Sequence, residues 1–181
     1  MKRISAVLLF VAATPAMSQT VMATAATNPA VSTTRMVWDQ MTGFITKAAD
    51  QMPEADYAFR PVASVRTFGQ LIGHVAGAQN MICGSALGET TGGEDDIEKS
   101  KTTKADLTAA LKASTANCAR AYAQSDASSA GMTKLFGQDQ TRLFALMLNA
   151  THNSEHYGNI ITYMRMKGMV PPSSQPAPPR P

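Results

Sequence analysis

Apolar residues recur at helical spacing in four segments of the chain, and no segment shows the alternation of a convincing strand. In the first segment Trp38, Met41 and Ile45 lie on one apolar stripe, as expected for a helix with a single buried face. The predicted helices cover residues 34–49, 65–87, 103–124 and 139–167. Because each has one apolar face, the pattern predicts an all-α fold, a four-helix bundle over residues 34–170.

Start and stop signals accompany these helices. Ser64 is a candidate cap for the second helix, and Thr103 opens the third in a pattern resembling a capping box, with Asp106 in place of the usual Glu or Gln. Gly168, followed by prolines, ends the fourth helix. Residues 88–102 are polar and predict a long connection between the second and third helices.

The two ends of the chain lack helical periodicity. Residues 1–18 combine a basic start, a short apolar stretch and small residues before Ser18, the layout of a secretory signal peptide. Cleavage is expected after Ser18, with a second candidate site after Ala23. Residues 19–33 are interpreted as a flexible leader, and residues 171–181, with six prolines, as a disordered, extended tail. We therefore expect an exported protein, located in a periplasm.

Composition excludes several classes of protein. The apolar stretch of the signal is too short to span a bilayer, so no membrane association is expected after cleavage. Loss of Lys2 and Arg3 removes no acidic residue and lowers the formal charge from +3 to +1, which argues against a nucleic-acid partner. Two cysteines in 181 residues exclude both a disulfide-dense scaffold and a four-thiolate zinc site.

The three histidines of the chain carry the candidate chemistry. His152 and His156 lie four residues apart in the fourth helix, so they share one face and can share one divalent metal. His74 lies among core-facing positions of the second helix, and all three can meet inside a bundle. Three protein ligands plus water is the coordination typical of catalytic zinc, although isolated helix histidines are more often ordinary core or surface residues.

One zinc-protease interpretation is excluded. Residues 152–156 read His-Asn-Ser-Glu-His, which fits the inverted protease motif. Those enzymes need a further acidic ligand downstream, and no Asp or Glu follows His156. The histidines therefore predict a metal site of another kind.

Four segments of the chain resemble the exported branch of the DinB/YfiT-like family. They are residues 57–61 (YAFRP), 64–75 (SVRTFGQLIGHV), 152–159 (HNSEHYGN) and 163–172 (YMRMKGMVPP). The resemblance, which extends over residues 37–174, implies a bundle of up-down-down-up order with a long crossover between the second and third helices. It also implies that His74, His152 and His156 bind zinc, nickel or a similar divalent ion, and that a homodimer is one expected assembly.

The resemblance implies more than one activity for such a metal site. Some relatives are metal-dependent transferases or isomerases that use a small thiol, and many are described only as metalloenzymes. We expect a metal-dependent hydrolase or thiol transferase acting on a small molecule, with a non-catalytic metal- or ligand-binding bundle as the alternative. Glu155 is the candidate catalytic residue; the alternative is that it is an exposed helix carboxylate without a role in catalysis. Asn149 and Tyr163 either line the pocket or serve bundle packing.

Whether Cys83 and Cys118 pair depends on helix direction. In an antiparallel hairpin they would lie roughly 16 Å apart, whereas parallel helices would place them at similar heights. The order implied by the resemblance is the parallel one, so a Cys83–Cys118 disulfide is expected in an exported protein. The alternative, a thiolate ligand for the metal, is disfavoured because Cys83 lies about 180° round the helix from His74.

Overall fold

The computed structural model of the protein describes residues 27–176, so the predicted signal peptide, most of the predicted leader and residues 177–181 lie outside it. The elements in chain order are α1 (Pro29–Gln51), α2 (Phe68–Leu87), α3 (Asp96–Ser100), α4 (Lys104–Ala121), α5 (Asp126–Ser129), β1 (Met132–Leu135), β2 (Gln138–Thr141) and α6 (Arg142–Met166), with 3₁₀ turns at Glu54–Asp56 and Pro172–Ser174. The four long helices α1, α2, α4 and α6 form a bundle, which confirms the predicted all-α class.

Side-chain contacts define the direction of each long helix. Helix α2 runs parallel to α4, since Cys83 is bonded to Cys118 and Gln79 donates to Ser114. Helix α1 runs parallel to α6 by the same test, because their residues pair in ascending order. These pairs are Thr42 with Asn153 and Phe44 with Tyr157. The two pairs run in opposite directions, since His74 lies beside His156 whereas Gln79, further along α2, bonds to Asn153. The order is therefore up-down-down-up, as predicted, with residues 88–103 forming the crossover from α2 to α4.

The disulfide predicted between Cys83 and Cys118 is present. The two Cα atoms lie 5.1 Å apart, and both residues are fully buried between α2 and α4. Because these helices are parallel, the bridge joins them near their C-terminal ends. Within residues 27–176, no helix is long and apolar enough to cross a membrane.

Helix α1 begins at Pro29, inside the segment interpreted from sequence as a flexible leader. Proline suits the first helical turn because its missing N–H would have no helical partner there. The carboxylate of Asp126, in α5, accepts the backbone N–H groups of Ala30 and Val31 at 3.0 and 2.9 Å. A carboxylate at a helix N-terminus is favourable, so a residue almost a hundred positions away extends the helix beyond its predicted start.

Helix α2 begins at Phe68 rather than at residue 65, and Ser64 is not its cap. Thr67 accepts the backbone N–H of Gln70, whose side chain in turn accepts the N–H of Thr67. This reciprocal capping box satisfies two otherwise unpaired donors at once. Thr103 caps α4 by accepting the N–H of Asp106, in agreement with the sequence pattern.

The expectation of no strand was wrong, because a hairpin precedes α6. Strands β1 and β2 pair in antiparallel register through a two-residue loop, Phe136 and Gly137. Both loop residues have positive φ, at 50° and 76°, the conformation that suits a tight hairpin turn. Only Leu135 of the strands is buried, so the sequence lacks a clear alternation. Helix α6 consequently starts at Arg142 instead of residue 139.

The start of the predicted Pro-rich tail packs on the bundle. Pro171 and Pro172 are buried, and Pro172–Ser174 forms a 3₁₀ turn. The Tyr157 hydroxyl donates to Ser173 Oγ and accepts the Ser173 backbone N–H, both at 2.9 Å. The prediction that the tail begins at residue 171 was therefore too early; residues 177–181 lie outside the described range.

Candidate metal centre

The three histidines converge between α2 and α6. His74 Nε2 lies 3.2 Å from His152 Nε2, which lies 3.0 Å from His156 Nε2. The i, i+4 spacing brings His152 and His156 to one face of α6, and His74 approaches from α2. His74 and His156 are buried and His152 is half-buried, so the predicted histidines do come together.

Hydrogen bonds among the three Nε2 atoms cannot satisfy all of them. A neutral imidazole nitrogen is either a donor or an acceptor, yet His152 Nε2 contacts the Nε2 atoms of both His74 and His156. At most one full hydrogen bond can therefore form among the three atoms. A cation that accepts all three lone pairs removes this conflict.

The spacing and charge state also fit a divalent ion. Tetrahedral zinc with Zn–N bonds of about 2.0–2.1 Å requires N···N separations of roughly 3.3 Å, close to the 3.0 and 3.2 Å observed. Burial, reinforced by repulsion from His74 and Arg66, lowers the pKa of His152 to about 4. Burial is also the main cause that lowers the pKa of His156 to about 3. Both side chains are neutral at pH 7, as metal ligation requires, so His74, His152 and His156 could hold a metal ion.

Behind His74 lies a charged group that sequence reasoning did not identify. His74 Nδ1 donates to Asp95 Oδ1 at 3.0 Å, while Glu98 Oε2 lies 3.8 Å from the same nitrogen. Arg66 donates to Glu98 at 2.8 Å and to Asp95 at 3.3 Å. The hydrogen bond from His74 is the main cause of the lowered pKa of Asp95. The sequence showed residues 88–102 only as an acidic, polar connection, with no signal that they fold back onto His74.

The crossover reaches His74 because glycines line the adjoining face of α2. A Cβ at Gly77 would lie 2.0 Å from the carbonyl oxygen of Glu94, and a Cβ at Gly73 would lie 2.8 Å from Glu98 Cα. Any larger residue would displace the crossover backbone. The Gly73 and Gly77 positions therefore allow the crossover to bring Asp95 and Glu98 to His74.

A cleft of about 560 Å³ opens beside the cluster. His156, Arg66 and Tyr163 line it, and Glu155 lies at the same opening as an exposed side chain. The structure thus brings Glu155 and Tyr163 to the cleft, and Tyr163 also donates to the Arg66 carbonyl at 2.6 Å. Asn149 lies elsewhere: it is fully buried and accepts a hydrogen bond from the Tyr122 hydroxyl, so its role is in bundle packing.

Several solved structures are similar to this protein in fold. Among solved structures, a DinB-like protein from Bacillus cereus superposes with a TM-score of 0.67 at 18% identity, over 77% of this chain and 93% of that one. A DinB-like protein from Bacillus subtilis gives 0.61 at 19% identity, over 79% and 94% of the chains. A mycothiol-dependent maleylpyruvate isomerase gives 0.56 at 14% identity, over 80% and 78%. At these identities the likeness concerns the fold.

The family assignment rests on the sequence itself. No curated protein matches the chain. The sequence model of the DinB superfamily, however, matches residues 38–160, from α1 through most of α6 and including all three histidines. This match covers more than half of the chain, and the fold is similar to that of the two DinB-like proteins. The protein belongs to the DinB superfamily.

Proposed function

We propose that this protein is an exported, metal-dependent hydrolase that acts on a small molecule. The observation that carries the proposal is the convergence of three imidazoles beside an open cleft. Three protein ligands leave a coordination position for water or substrate, and the adjoining cleft of about 560 Å³ has the size of a small-molecule site. Zinc or nickel is the proposed ion, since imidazole suits both.

The residues of the site have two proposed roles, metal binding and proton transfer. His74, His152 and His156 would hold the ion, which when bound acts as a Lewis acid and lowers the pKa of a water or thiol. Glu155 lies at the cleft and has no hydrogen bond or ion pair among the described residues. Its carboxylate is free to accept a proton from an attacking nucleophile. Arg66 and Tyr163 shape the same opening.

Thiol transfer is the second candidate reaction, and one observation favours it. The fold is similar to that of a mycothiol-dependent maleylpyruvate isomerase. The cleft contains Arg66, but its guanidinium already pairs with Asp95 and Glu98. No basic cluster among residues 27–176 lines the cleft to bind the carboxylates of a thiol cofactor, so hydrolysis remains the leading proposal.

A paired activity screen tests the proposal. Zinc- and nickel-loaded protein is assayed with a panel of small esters and, separately, with a panel of thiol-transfer substrates. We expect ester hydrolysis that is lost on chelation, and a fall in kcat of about 10²- to 10⁴-fold in Glu155→Gln with metal content unchanged. Glu54→Gln is the matched control, because Glu54 is exposed and lies in the 3₁₀ turn after α1. Metal-loaded protein inactive on both panels supports the non-catalytic binding bundle instead.

Export is part of the proposal and has separate support. The buried Cys83–Cys118 disulfide suits an oxidising compartment, and residues 1–18 have the layout of a signal peptide. Mass spectrometry of the protein recovered from a periplasmic extract should show an N-terminus at Gln19. Recovery only from the cytoplasm, with Met1 retained, would contradict export.

A further inference from the structure

Of the three candidate ligands, only His74 is held by a hydrogen bond at its second ring nitrogen, Nδ1. Its Nδ1 donates to Asp95 at 3.0 Å. The Nδ1 atoms of His152 and His156 are buried and have no hydrogen-bond partner among the described residues. The orientation of the latter two is fixed by α6, which carries both, whereas His74 must be aligned with them from another helix.

Asp95 is itself held in place by several contacts. Arg66 donates to it at 3.3 Å, and Lys99 lies 3.4 Å from its other carboxylate oxygen. Arg66 also donates to Glu98 at 2.8 Å, which ties the guanidinium to the next turn of the crossover. The backbone on either side, at Glu94 and Glu98, is seated against the glycines of α2. The carboxylate is therefore fixed relative to His74 by both charge and backbone packing.

We propose that Asp95 is the positioning residue of the metal centre. By accepting a hydrogen bond from Nδ1–H, Asp95 fixes the tautomer of His74 and leaves the Nε2 lone pair facing His152 and His156. Because Asp95 lies on the crossover, docking of that segment and metal binding stabilise each other. This inference rests on the metal site of the proposed function.

A second cation at Asp95 and Glu98 is disfavoured by the same contacts. Their oxygens and His74 Nδ1 are close enough to hold an ion. Arg66 already supplies a cation to both carboxylates, at 3.3 and 2.8 Å. Asp95 and Glu98 therefore act on the three-histidine centre through His74 Nδ1 and do not form a metal site of their own.

Zinc affinity of the full chain provides the first test, measured by competition with a chromophoric chelator. We expect Asp95→Ala to weaken zinc binding by about 10- to 100-fold. Asp95→Asn keeps an acceptor oxygen and should lose less, about 3- to 10-fold. Glu94→Gln removes an equal charge from the neighbouring residue, which has no side-chain hydrogen bond or ion pair with any residue in the range 27–176, and should bind zinc within about twofold of wild type.

The second readout is the tautomer of His74, observed by proton–nitrogen correlation NMR on metal-free protein. Wild type and Asp95→Asn should show His74 protonated at Nδ1, and Asp95→Ala should show a mixture or the Nε2 form. Zinc affinity unchanged in Asp95→Ala, an equal loss in Glu94→Gln, or an unaltered His74 tautomer in Asp95→Ala would each overturn the proposal. If Asp95→Ala does not fold, a zinc affinity in Asp95→Asn equal to that of wild type overturns it. Absence of zinc binding by wild type would instead refute the proposed function, while the tautomer measurement still reports on Asp95.

Discussion

At the scale of single residues, a buried polar network joins the four helices of the bundle. Gln79 is fully buried, accepts the Trp38 indole N–H at 3.0 Å and donates to Ser114 Oγ at 3.0 Å. Asn153, between the two histidines of α6, donates to Gln79 and to Thr42. Such bonds are directional in a way that apolar contacts are not, so the network fixes the rotation of α6 and hence the face on which its histidines lie.

Removing the centre of this network should be costly. Gln79→Leu leaves the Trp38 N–H and the Asn153 amide with fewer partners in a dry interior, so we expect the free energy of unfolding in urea to fall by about 2–4 kcal/mol. Gln40→Leu, on the exposed face of α1, is the control and should change it by less than about 0.5 kcal/mol. Equal losses in the two variants would show that the network contributes nothing specific.

At the scale of elements, the contact between α2 and the crossover connects the bundle to the metal centre. The crossover backbone touches α2 at Gly73 and Gly77, where a side chain has no room. The same approach puts Asp95 and Glu98 beside His74. The glycines therefore affect the site without contacting it.

A pair of glycine substitutions tests this contact. Gly77→Ala should lower the free energy of unfolding by about 1–3 kcal/mol, because the new Cβ collides with the Glu94 carbonyl, and should also weaken zinc binding. Gly43→Ala, in α1 with nothing within 4 Å of the added Cβ, should raise it by about 0.5–1 kcal/mol through helix propensity. The opposite signs are measured by urea unfolding; a neutral or stabilising effect of Gly77→Ala contradicts the close approach.

The same elements show how far the sequence alone leads. Periodicity predicted the four long helices, because each has a local apolar face. It missed the start of α1 because the group that caps α1, Asp126, lies far along the chain. It missed the hairpin because those strands bury little more than Leu135.

The residues of the candidate site were likewise only partly predictable from the sequence. The histidines were identifiable from their spacing in helices and from the family resemblance. Asp95, Glu98 and Arg66 were not, since their roles arise from tertiary packing of the crossover. For Glu155, the structure gives its place at the cleft, while its catalytic role stays a prediction.

At the scale of the whole molecule, the disulfide holds together the parallel pair formed by α2 and α4. Parallel neighbours require a crossover, and here it runs from Gly88 to Thr103. The covalent bond between Cys83 and Cys118 closes this excursion, with 35 positions separating the two residues. A cross-link over such a loop limits the unfolded chain.

Loss of the cross-link should destabilise the fold without removing the metal site. We expect Cys83→Ala/Cys118→Ala to lower the free energy of unfolding by about 2–4 kcal/mol and to retain zinc, because Cys83 is more than two turns of α2 from His74. Urea unfolding with and without reductant is the measurement. Reductant should destabilise wild type and leave the double variant unchanged; a wild-type transition unaffected by reductant would contradict the expectation.

The metal content of purified protein tests the three-histidine site most directly. Wild type, His74→Ala, His152→Ala and His156→Ala are dialysed against zinc and analysed by mass spectrometry, with Glu155→Gln as the control that retains all three ligands. We expect about one ion per chain in wild type and Glu155→Gln, and a large loss in each histidine variant that remains folded by circular dichroism. Equal, negligible metal in all five proteins would contradict it.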